Sequence, residues 1–595
     1  MIAKFTRVFD IIDYRLANYA DKKTLNNFVN GKWSGYGIKD IQNKVNNISS
    51  WLLDNGFEKG DKIGFVPNIG RPEWMMVDFA CQQIGVIVVP MHPTASISEV
   101  EFILNETAAK ACITADSGIY YKIFPLLEKL GSLKHVFHLE PKTPGYFKAC
   151  TVKKTSAASL EAIKKVKKTI NEEDIFTIMY TSGTSGTPKG VMLSHANVMS
   201  NIKALLNLLP LKNGERVLSF LPFSHIFERT ACYAYLTLGV ELYFSQNRES
   251  FTHDFKTVQP VFCTTVPRIL EKMYDFLQEQ RLEKSALKKW LIKWAMSVGK
   301  KFKESDSYNP LYTTKLFFAK FLVLNHWKKA MGGKLRYMAV GAATLRPEIG
   351  RLFSASGIKI REGYGMTETS PLISLNRYDN TTNKFGTVGI PLENIEVKID
   401  VPVDEDNEGE ILVKGANVMK SYFKRPEQTK EVFTEDGWFR TGDVGKFVDE
   451  KFLKITGRKK DIFKTSSGKY IAPEPLQDHF NASEFIQQSL IIGFQRPYIT
   501  ALIVPHFSLL EKWCERENIH WTSPQFMVYN IKVAALLKNE IDQRNETLPN
   551  YKRIRNFTLC HKEWTTETGG ITNTYKIKRG ELAGLFKKEI DKMYK

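Results

Sequence analysis

The stretch Tyr180-Thr-Ser-Gly-Thr-Ser-Gly-Thr-Pro-Lys189, with Gly190 behind it, crowds hydroxyls, three glycines and one lysine into a single turn between the apolar runs 174–180 and 191–195. Glycines let a backbone bend until its N–H groups reach an anion, hydroxyls add donors, and Lys189 supplies a mobile point charge. This is the chemistry of a phosphate cradle. A Walker A loop needs Gly, four residues, then Gly-Lys-Ser/Thr, and that spacing is absent, which disfavours a P-loop ATPase. A solvated Ser/Gly linker has the same composition, so the stretch needs partners before it can be assigned.

Three further clusters supply candidate partners. Glu362-Gly-Tyr-Gly-Met-Thr-Glu-Thr369 sets an aromatic ring, hydroxyls and a carboxylate in one turn bounded by glycines. A ring can stack on a base, a hydroxyl can hold a phosphate, and a carboxylate can hold Mg²⁺. Val340-Gly-Ala-Ala-Thr344 strips away side-chain bulk, as a planar ligand sliding against backbone requires, but is weak alone. Trp438-Phe-Arg-Thr-Gly-Asp443 ends in an acid after a tight turn, which suits two ribose hydroxyls or an ordinary turn aspartate. The seven cysteines lack CxxC spacing, which argues against a disulfide framework and a zinc site; each reads as a small buried hydrophobe.

These clusters need a scaffold, and 595 residues are too many for one core. Short apolar runs alternate with helical patterns from Lys62-Ile-Gly-Phe-Val66 through Ile84-Gly-Val-Ile-Val-Val89, and again around 217–221, 240–244, 261–265 and 335–340, which is α/β punctuation. After Gly386 the texture becomes short alternating segments, the mark of a small β subdomain. Another change near Gly457-Arg-Lys-Lys-Asp461 opens a separate α+β unit. The expectation is an α/β fold: a large N-terminal domain of α/β subdomains plus a small β subdomain over 1–458, and a small α+β domain over 459–595. No run reaches the length of a membrane span, and the first residues lack the apolar core and cleavage site of a signal peptide, so a cytoplasmic protein is expected.

The net charge is +20, and 13 Lys/Arg against two acids fall between Lys284 and Arg336. Leu287, Trp290, Leu291, Trp294 and Val298 recur there at helical spacing with lysines between them, inside a basic helical insertion of about 272–330. A basic amphipathic helix bearing tryptophans can lie in a membrane interface, here through helices 284–330 on the inner face of the cell membrane. A pair of core-packing helices with a solvated lysine face reads equally well. Nucleic acid is disfavoured, because no RNP, zinc-finger or helix-turn-helix pattern accompanies the charge.

Taken in order, these pieces resemble the adenylate-forming superfamily of acyl-CoA synthetases, adenylation domains and luciferases, over nearly the whole chain. Leu221-Pro-Phe-Ser-His-Ile-Phe-Glu-Arg229, the basic insertion and Ile571-Thr-Asn-Thr-Tyr-Lys-Ile-Lys-Arg579 look like its long-chain fatty-acid CoA ligase branch. The resemblance implies ATP, Mg²⁺, a fatty acid and coenzyme A as ligands, and a C-terminal domain that moves between two half-reactions. It implies that Thr181, Ser182, Gly183, Thr184, Ser185, Gly186, Thr187 and Lys189 grip the β- and γ-phosphates. Tyr364, flanked by Glu362, Gly363 and Gly365, would pack on adenine beside Gly341, Ala342 and Ala343. Thr367 would meet the α-phosphate, Glu368 and Thr184 the metal, and Asp443 and Arg458 the ribose. Lys460 falls at the hinge, Lys576 at the catalytic lysine and His225 near the acyl pocket, while Lys464, Ser467, Gly468 and Lys469 would line the CoA channel.

Two residues depart from the pattern: Asn573 replaces a common proline, and Ser421 replaces a common glycine, where a left-handed backbone would now cost energy. Two rivals stay open, a ligase that loads an acyl carrier protein (or stops at acyl-AMP) and a non-catalytic membrane lipid-binding protein. The oligomeric state is also open, with a homodimer among the options.

Overall fold

The computed structural model describes the chain except residues 1–4, 68–69, 142, 152–154, 182–187, 248–249, 283–284, 305–308, 380, 402–407, 566–567 and 572–576. It divides into two compact units. The first comprises Met1–Pro267, Leu291–Val397 and Val413–Phe439; the second comprises Arg268–Trp290, Lys398–Leu412 and Arg440–Lys595.

Two large sheets organise the first unit. One has seven strands in the order Ser421–Tyr422, Lys189–Ser194, Ile175–Thr181, Ile87–Pro90, Lys62–Val66, Ala111–Thr114 and His135–His138. Its central strands run parallel and are buried along almost their whole length, as in Ala111–Thr114, so they read as continuous apolar runs instead of alternating ones. The apolar run expected as one strand over 84–89 divides: residues 84–86 complete the turn after the helix Pro72–Gln82, and the strand is Ile87–Pro90. Helix Ile38–Asp54 buries Ile38, Ile41, Val45, Ile48 and Leu52, one stripe at 3–4-residue spacing.

The other sheet has nine strands, in the order Ile390–Pro391, Leu372–Leu375, Lys359–Gly365, Tyr337–Val340, Phe262–Thr265, Arg216–Ser219, Glu241–Phe244, Leu25–Val29 and Lys32–Tyr36. The parallel pair Tyr337–Val340 and Lys359–Gly365 ends at the turns that carry the Gly341 and Tyr364 clusters. A ligand site outside the carboxyl ends of parallel strands is the general pattern in α/β sheets. Beyond Gly386, Ile395–Asp400, Gly409–Gly415, Phe439–Val448 and Phe452–Arg458 form a four-stranded sheet.

Within the second unit, a three-stranded sheet of Ile486–Ile492, Ile499–Pro505 and Ile554–Leu559 packs on Pro473–Asn481 and Ile531–Asn545 through Phe480, Ile503, Leu537 and Ile541. The six cysteines whose environment is described are free and buried, as expected of small hydrophobes. Among the described residues no helix is long and apolar enough to cross a membrane.

Candidate active site

The cradle hangs on an antiparallel hairpin. Ile175–Thr181 pairs with Lys189–Ser194 so that Thr181 stands opposite Lys189. Residues Ser182, Gly183, Thr184, Ser185, Gly186 and Thr187 lie outside the described residues, but both anchors of the loop are in place. Gly190 is required at the exit, because a Cβ there would come within 2.8 Å of Ile178 Cγ2. Tyr180 Oη donates to Glu106 Oε2 at 2.6 Å, and Glu106 is also paired with Arg425. Ser194 caps the following helix His195–Leu208 through a reciprocal box with Asn197: the Asn197 amide donates to Ser194 Oγ at 3.2 Å and the Ser194 amide to Asn197 Oδ1 at 2.9 Å. The hairpin is thereby fixed to a helix whose next turn carries Asn201.

That asparagine reaches the second cluster. Asn201 Oδ1 accepts from the Leu372 amide at 2.7 Å, and Asn417 Nδ2 donates to the carbonyls of Thr369 and Leu372 at 3.0 and 3.1 Å. The Met419 amide donates to the Glu368 carbonyl at 2.7 Å, so the short turn Thr367–Thr369 is held from two sides. Its entry is a backbone crossing: a Cβ on Gly365 would lie 1.7 Å from the Pro371 carbonyl oxygen, which leaves room for glycine alone. The ladder between Lys359–Gly365 and Leu372–Leu375 shifts register at Tyr364/Gly365. Tyr364 is buried to 7% exposure, and Gly363 faces Leu372 and Leu375.

The turn after Tyr337–Val340 has a buried Gly341 and an exposed lip of Ala342 and Ala343, with Ala342 in the left-handed region at φ 71°. Glu362 stands opposite Val340 and accepts backbone hydrogen bonds from Leu345 and Gly386, while burial pushes its pKa up to about 8. Its observed contacts brace the two loops on either side.

Strand Ser421–Tyr422 adds to the hairpin's edge, with Tyr422 opposite Val191. It joins the two clusters. Tyr422 Oη donates to Glu368 Oε1 at 2.9 Å, and the Lys189 ammonium lies 5.2 Å from the centre of the Tyr422 ring. Burial and the adjacent carboxylate drive the phenol's pKa far above its ordinary value, so it remains a donor. Lys189 and Glu368, 179 positions apart, thus share one aromatic linker. Ser421 does not adopt the left-handed backbone; Lys424 does, at φ 52°, so serine at 421 carries no strain of that kind.

His225 precedes the helix Ile226–Thr237, its ring 5.5 Å from that of His92, and burial lowers its pKa, which leaves it neutral at physiological pH. Phe227 lies 3.4 Å from where a Cβ on Gly341 would stand. The same helix anchors the scaffold. Arg229 pairs with Asp78 and donates from Nη1 to Thr177 Oγ1 at 2.8 Å, and Tyr233 hydrogen-bonds Asp78. Glu228 accepts from the hydroxyls of Ser219 and Thr264.

The remaining candidates belong to the second unit. Asp443 and Arg458 stand opposite each other on adjacent strands, and Arg458 Nε lies 3.1 Å from Asp443 Oδ1. Glu410 braces the turn before them by accepting from the Gly442 amide at 3.2 Å and pairing with Lys459 at 2.8 Å. Lys460 is exposed in the turn that follows. Lys464 and Tyr470 pair across a small hairpin, with Ser467, Gly468 and Lys469 exposed at its tip and Gly468 at φ 83°. Lys576 lies outside the described residues, between Ile571 and Ile577, which bridge to each other.

Sequence reasoning passed over Tyr422, Asn201, Asn417 and Glu410. Tyr422 had a usable signal, as the aromatic directly after Ser421.

A model of the AMP-binding enzyme family matches residues 12–423, and one of the AMP-binding enzyme C-terminal domain matches 460–595. The chain belongs to the AMP-binding enzyme family. It is 31% identical to the peroxisomal long chain acyl-CoA synthetase 7 of Arabidopsis thaliana, over 98% of this chain and 85% of that protein. It is 29% identical to the long-chain-fatty-acid–CoA ligase FadD15 of Mycobacterium bovis, over 95% of this chain and 93% of the relative. Among solved structures, the adenylation domain of a carboxylate reductase from Mycobacterium chelonae superposes with a TM-score of 0.75 at 19% identity, covering 100% of this chain and 92% of that one. ATP-bound MatB from Rhodopseudomonas palustris gives a TM-score of 0.72 at 20% identity, over 97% and 99%. These two structures establish the adenylate-forming fold.

Proposed function

We propose that this AMP-binding enzyme activates a long-chain fatty acid with ATP and passes the acyl group to coenzyme A. The cluster of Lys189, Tyr422 and Glu368 at the mouth of the cradle carries this reading, because it combines a cation, a protected donor and a carboxylate where a triphosphate would sit. In the first step a carboxylate oxygen attacks the α-phosphorus, the bond to the β-phosphate bridging oxygen breaks, and pyrophosphate leaves. In the second a thiol attacks the acyl carbonyl, the carbon–oxygen bond to AMP breaks, and the thiol proton is released. No base is needed for the first step, since the acid is ionised at neutral pH.

Mg²⁺ binds through one or two carboxylates and completes its shell with phosphate oxygens and water. Glu368 fits that demand, a carboxylate at the cluster held in place by the Tyr422 phenol. We assign the ion to Glu368 and Thr184, where it would neutralise phosphate charge. Lys189 holds the departing pyrophosphate. Thr367 donates to the α-phosphate, Tyr364 covers the base, and Asp443 with Arg458 takes the ribose. Lys576 stabilises the developing charge in the first step, and the Lys464–Lys469 hairpin lines the path for thiol entry in the second.

Pyrophosphate release on mixing fatty acid, ATP and Mg²⁺ tests the first step, and a non-catalytic lipid binder would release none. Supplying coenzyme A or an acyl carrier protein as acceptor distinguishes the two ligase readings. Lys576→Ala should lose on the order of 10²-fold in acyl-AMP formation while still converting supplied acyl-AMP to thioester. Equal loss in both half-reactions would show that Lys576 has no part peculiar to the first.

A further inference from the structure

The segment from Pro310 to Ala330 is helical throughout: an α-helix over Pro310–Ala319, a π-helical stretch over Lys320–Leu324 and an α-helix over Asn325–Ala330. Its inner side is ordinary. Leu316, Ala319, Val323, Leu324 and Trp327 are buried. Its outer side is not, because Leu311, Phe317, Phe318, Phe321 and Leu322 are all exposed, by between 42% and 66%. Allowing for the wider turn over Lys320–Leu324, these five fall on one side and the five buried residues on the other, so the helix is apolar on two opposite sides. A helix of that composition is normally enclosed, and an exposed apolar face of this size marks an interaction surface.

The charge around the face selects its occupant. From Pro310 to Lys334 the chain has five lysines and no acidic residue. Glu304, one of the two acids in the wider basic segment, is withdrawn from the surface: its carboxylate pairs with Arg361 Nη2 at 2.6 Å and accepts from Asn383 Nδ2 at 3.1 Å. Phenylalanines bordered by lysines match a bilayer with anionic headgroups, where rings enter the acyl boundary and ammonium groups meet phosphates. A second copy of the chain fits poorly, since two-fold pairing would set the same lysine border against itself.

We infer that the Leu311–Leu322 face docks this enzyme onto an anionic membrane surface such as a cytoplasmic leaflet, where a long-chain acid partitions. The contact itself does not depend on the ligase reading, which supplies only its purpose.

Vesicle co-sedimentation without nucleotide, acid or coenzyme A tests it. Wild type should bind phosphatidylcholine vesicles carrying about one-third phosphatidylglycerol, and release at about 0.5 M salt as the headgroup charge is screened. Phe317→Ser combined with Phe321→Ser should weaken binding about tenfold or more, and Lys315→Glu with Lys329→Glu should abolish the preference for anionic lipid. Chemical denaturation of the phenylalanine variant should give an unfolding equilibrium constant within about twofold of wild type, as expected for exposed positions, which excludes misfolding. Wild-type affinity in the phenylalanine variant would overturn the proposal, as would equal binding to phosphatidylcholine alone. So would light scattering that shows a wild-type dimer split by the same substitutions, which would make the face a self-association surface. Loss of fatty-acid activation with vesicle binding intact would sink the ligase reading and leave this one standing.

Discussion

Two groups of carboxylates in the first unit meet burial in opposite ways. Beneath the site, Asp78 is fully buried and neutralised by Arg229, while Glu228, also fully buried, is surrounded by the Ser219 and Thr264 hydroxyls and the Cys232 thiol. With hydroxyl donors in place of a cation, burial pushes its pKa up to about 7. At the site, Glu368 is 8% exposed and accepts a hydrogen bond from the Tyr422 phenol. In the scaffold, charge is cancelled by a guanidinium or removed by protonation. At the site the Tyr422 phenol fixes the position of the Glu368 carboxylate, the group proposed to hold the metal. The same type of side chain serves as mortar or as ligand according to what its neighbours bring.

The largest effect should come from breaking the cancelled pair. Asp78→Ala strands the buried Arg229 and should cost about 3–5 kcal/mol of unfolding free energy, read by chemical denaturation. Asp78→Asn with Arg229→Leu together should cost much less than that, because no charge is left alone.

Glu228 comes next, through pH. Its native pKa of about 7 lies above the ordinary value of 4.5, so the folded state holds a proton that the unfolded state releases. The stability this contributes is present below about pH 4.5 and lost as pH rises through about 7. Relative to Glu228→Gln, the wild type should therefore lose about 3 kcal/mol across that window. A wild-type-minus-variant difference that stays flat with pH would refute the protonated reading of this residue.

At the site the test is activity. Glu368→Gln keeps shape and loses charge, and should lower kcat/KM for pyrophosphate release about 10²-fold, with a raised Mg²⁺ requirement. Stability should hardly change, in contrast to Asp78→Ala. The smallest effect is expected from Tyr422→Phe, about tenfold in kcat/KM, the worth of one hydrogen bond. If Tyr422→Phe were as damaging as Glu368→Gln, the phenol would be doing more than steadying the carboxylate.

Much of the site was legible because its chemistry is local. The glycines and hydroxyls around Lys189 and the run from Glu362 to Thr369 carry their purpose in residue type and spacing. The parallel strands were legible too, as apolar runs of four to six residues between turns. What escaped was contributed from far along the chain. Asn201 reaches Leu372 across 171 positions, Asn417 reaches Thr369 across 48, and Tyr422 reaches Glu368 across 54. An asparagine that clamps a distant turn looks, in sequence, like any polar residue near a helix or loop. The basic insertion was half legible: the periodicity of Leu287, Trp290, Leu291, Trp294 and Val298 suggested one apolar face, but exposure falls along it from 74% at Leu287 to 7% at Val298. The more open apolar face belongs to the next helix, whose all-round hydrophobicity hides any stripe.

The crossing at Gly365 has an evolutionary consequence. Every other amino acid carries a Cβ, and the Pro371 carbonyl oxygen occupies the place where it would go. Every substitution there therefore forces two backbones apart, so the position offers no conservative step to drift through. A saturation library selected for thioester formation should return glycine there and little else, which would make position 365 the library's own calibration mark.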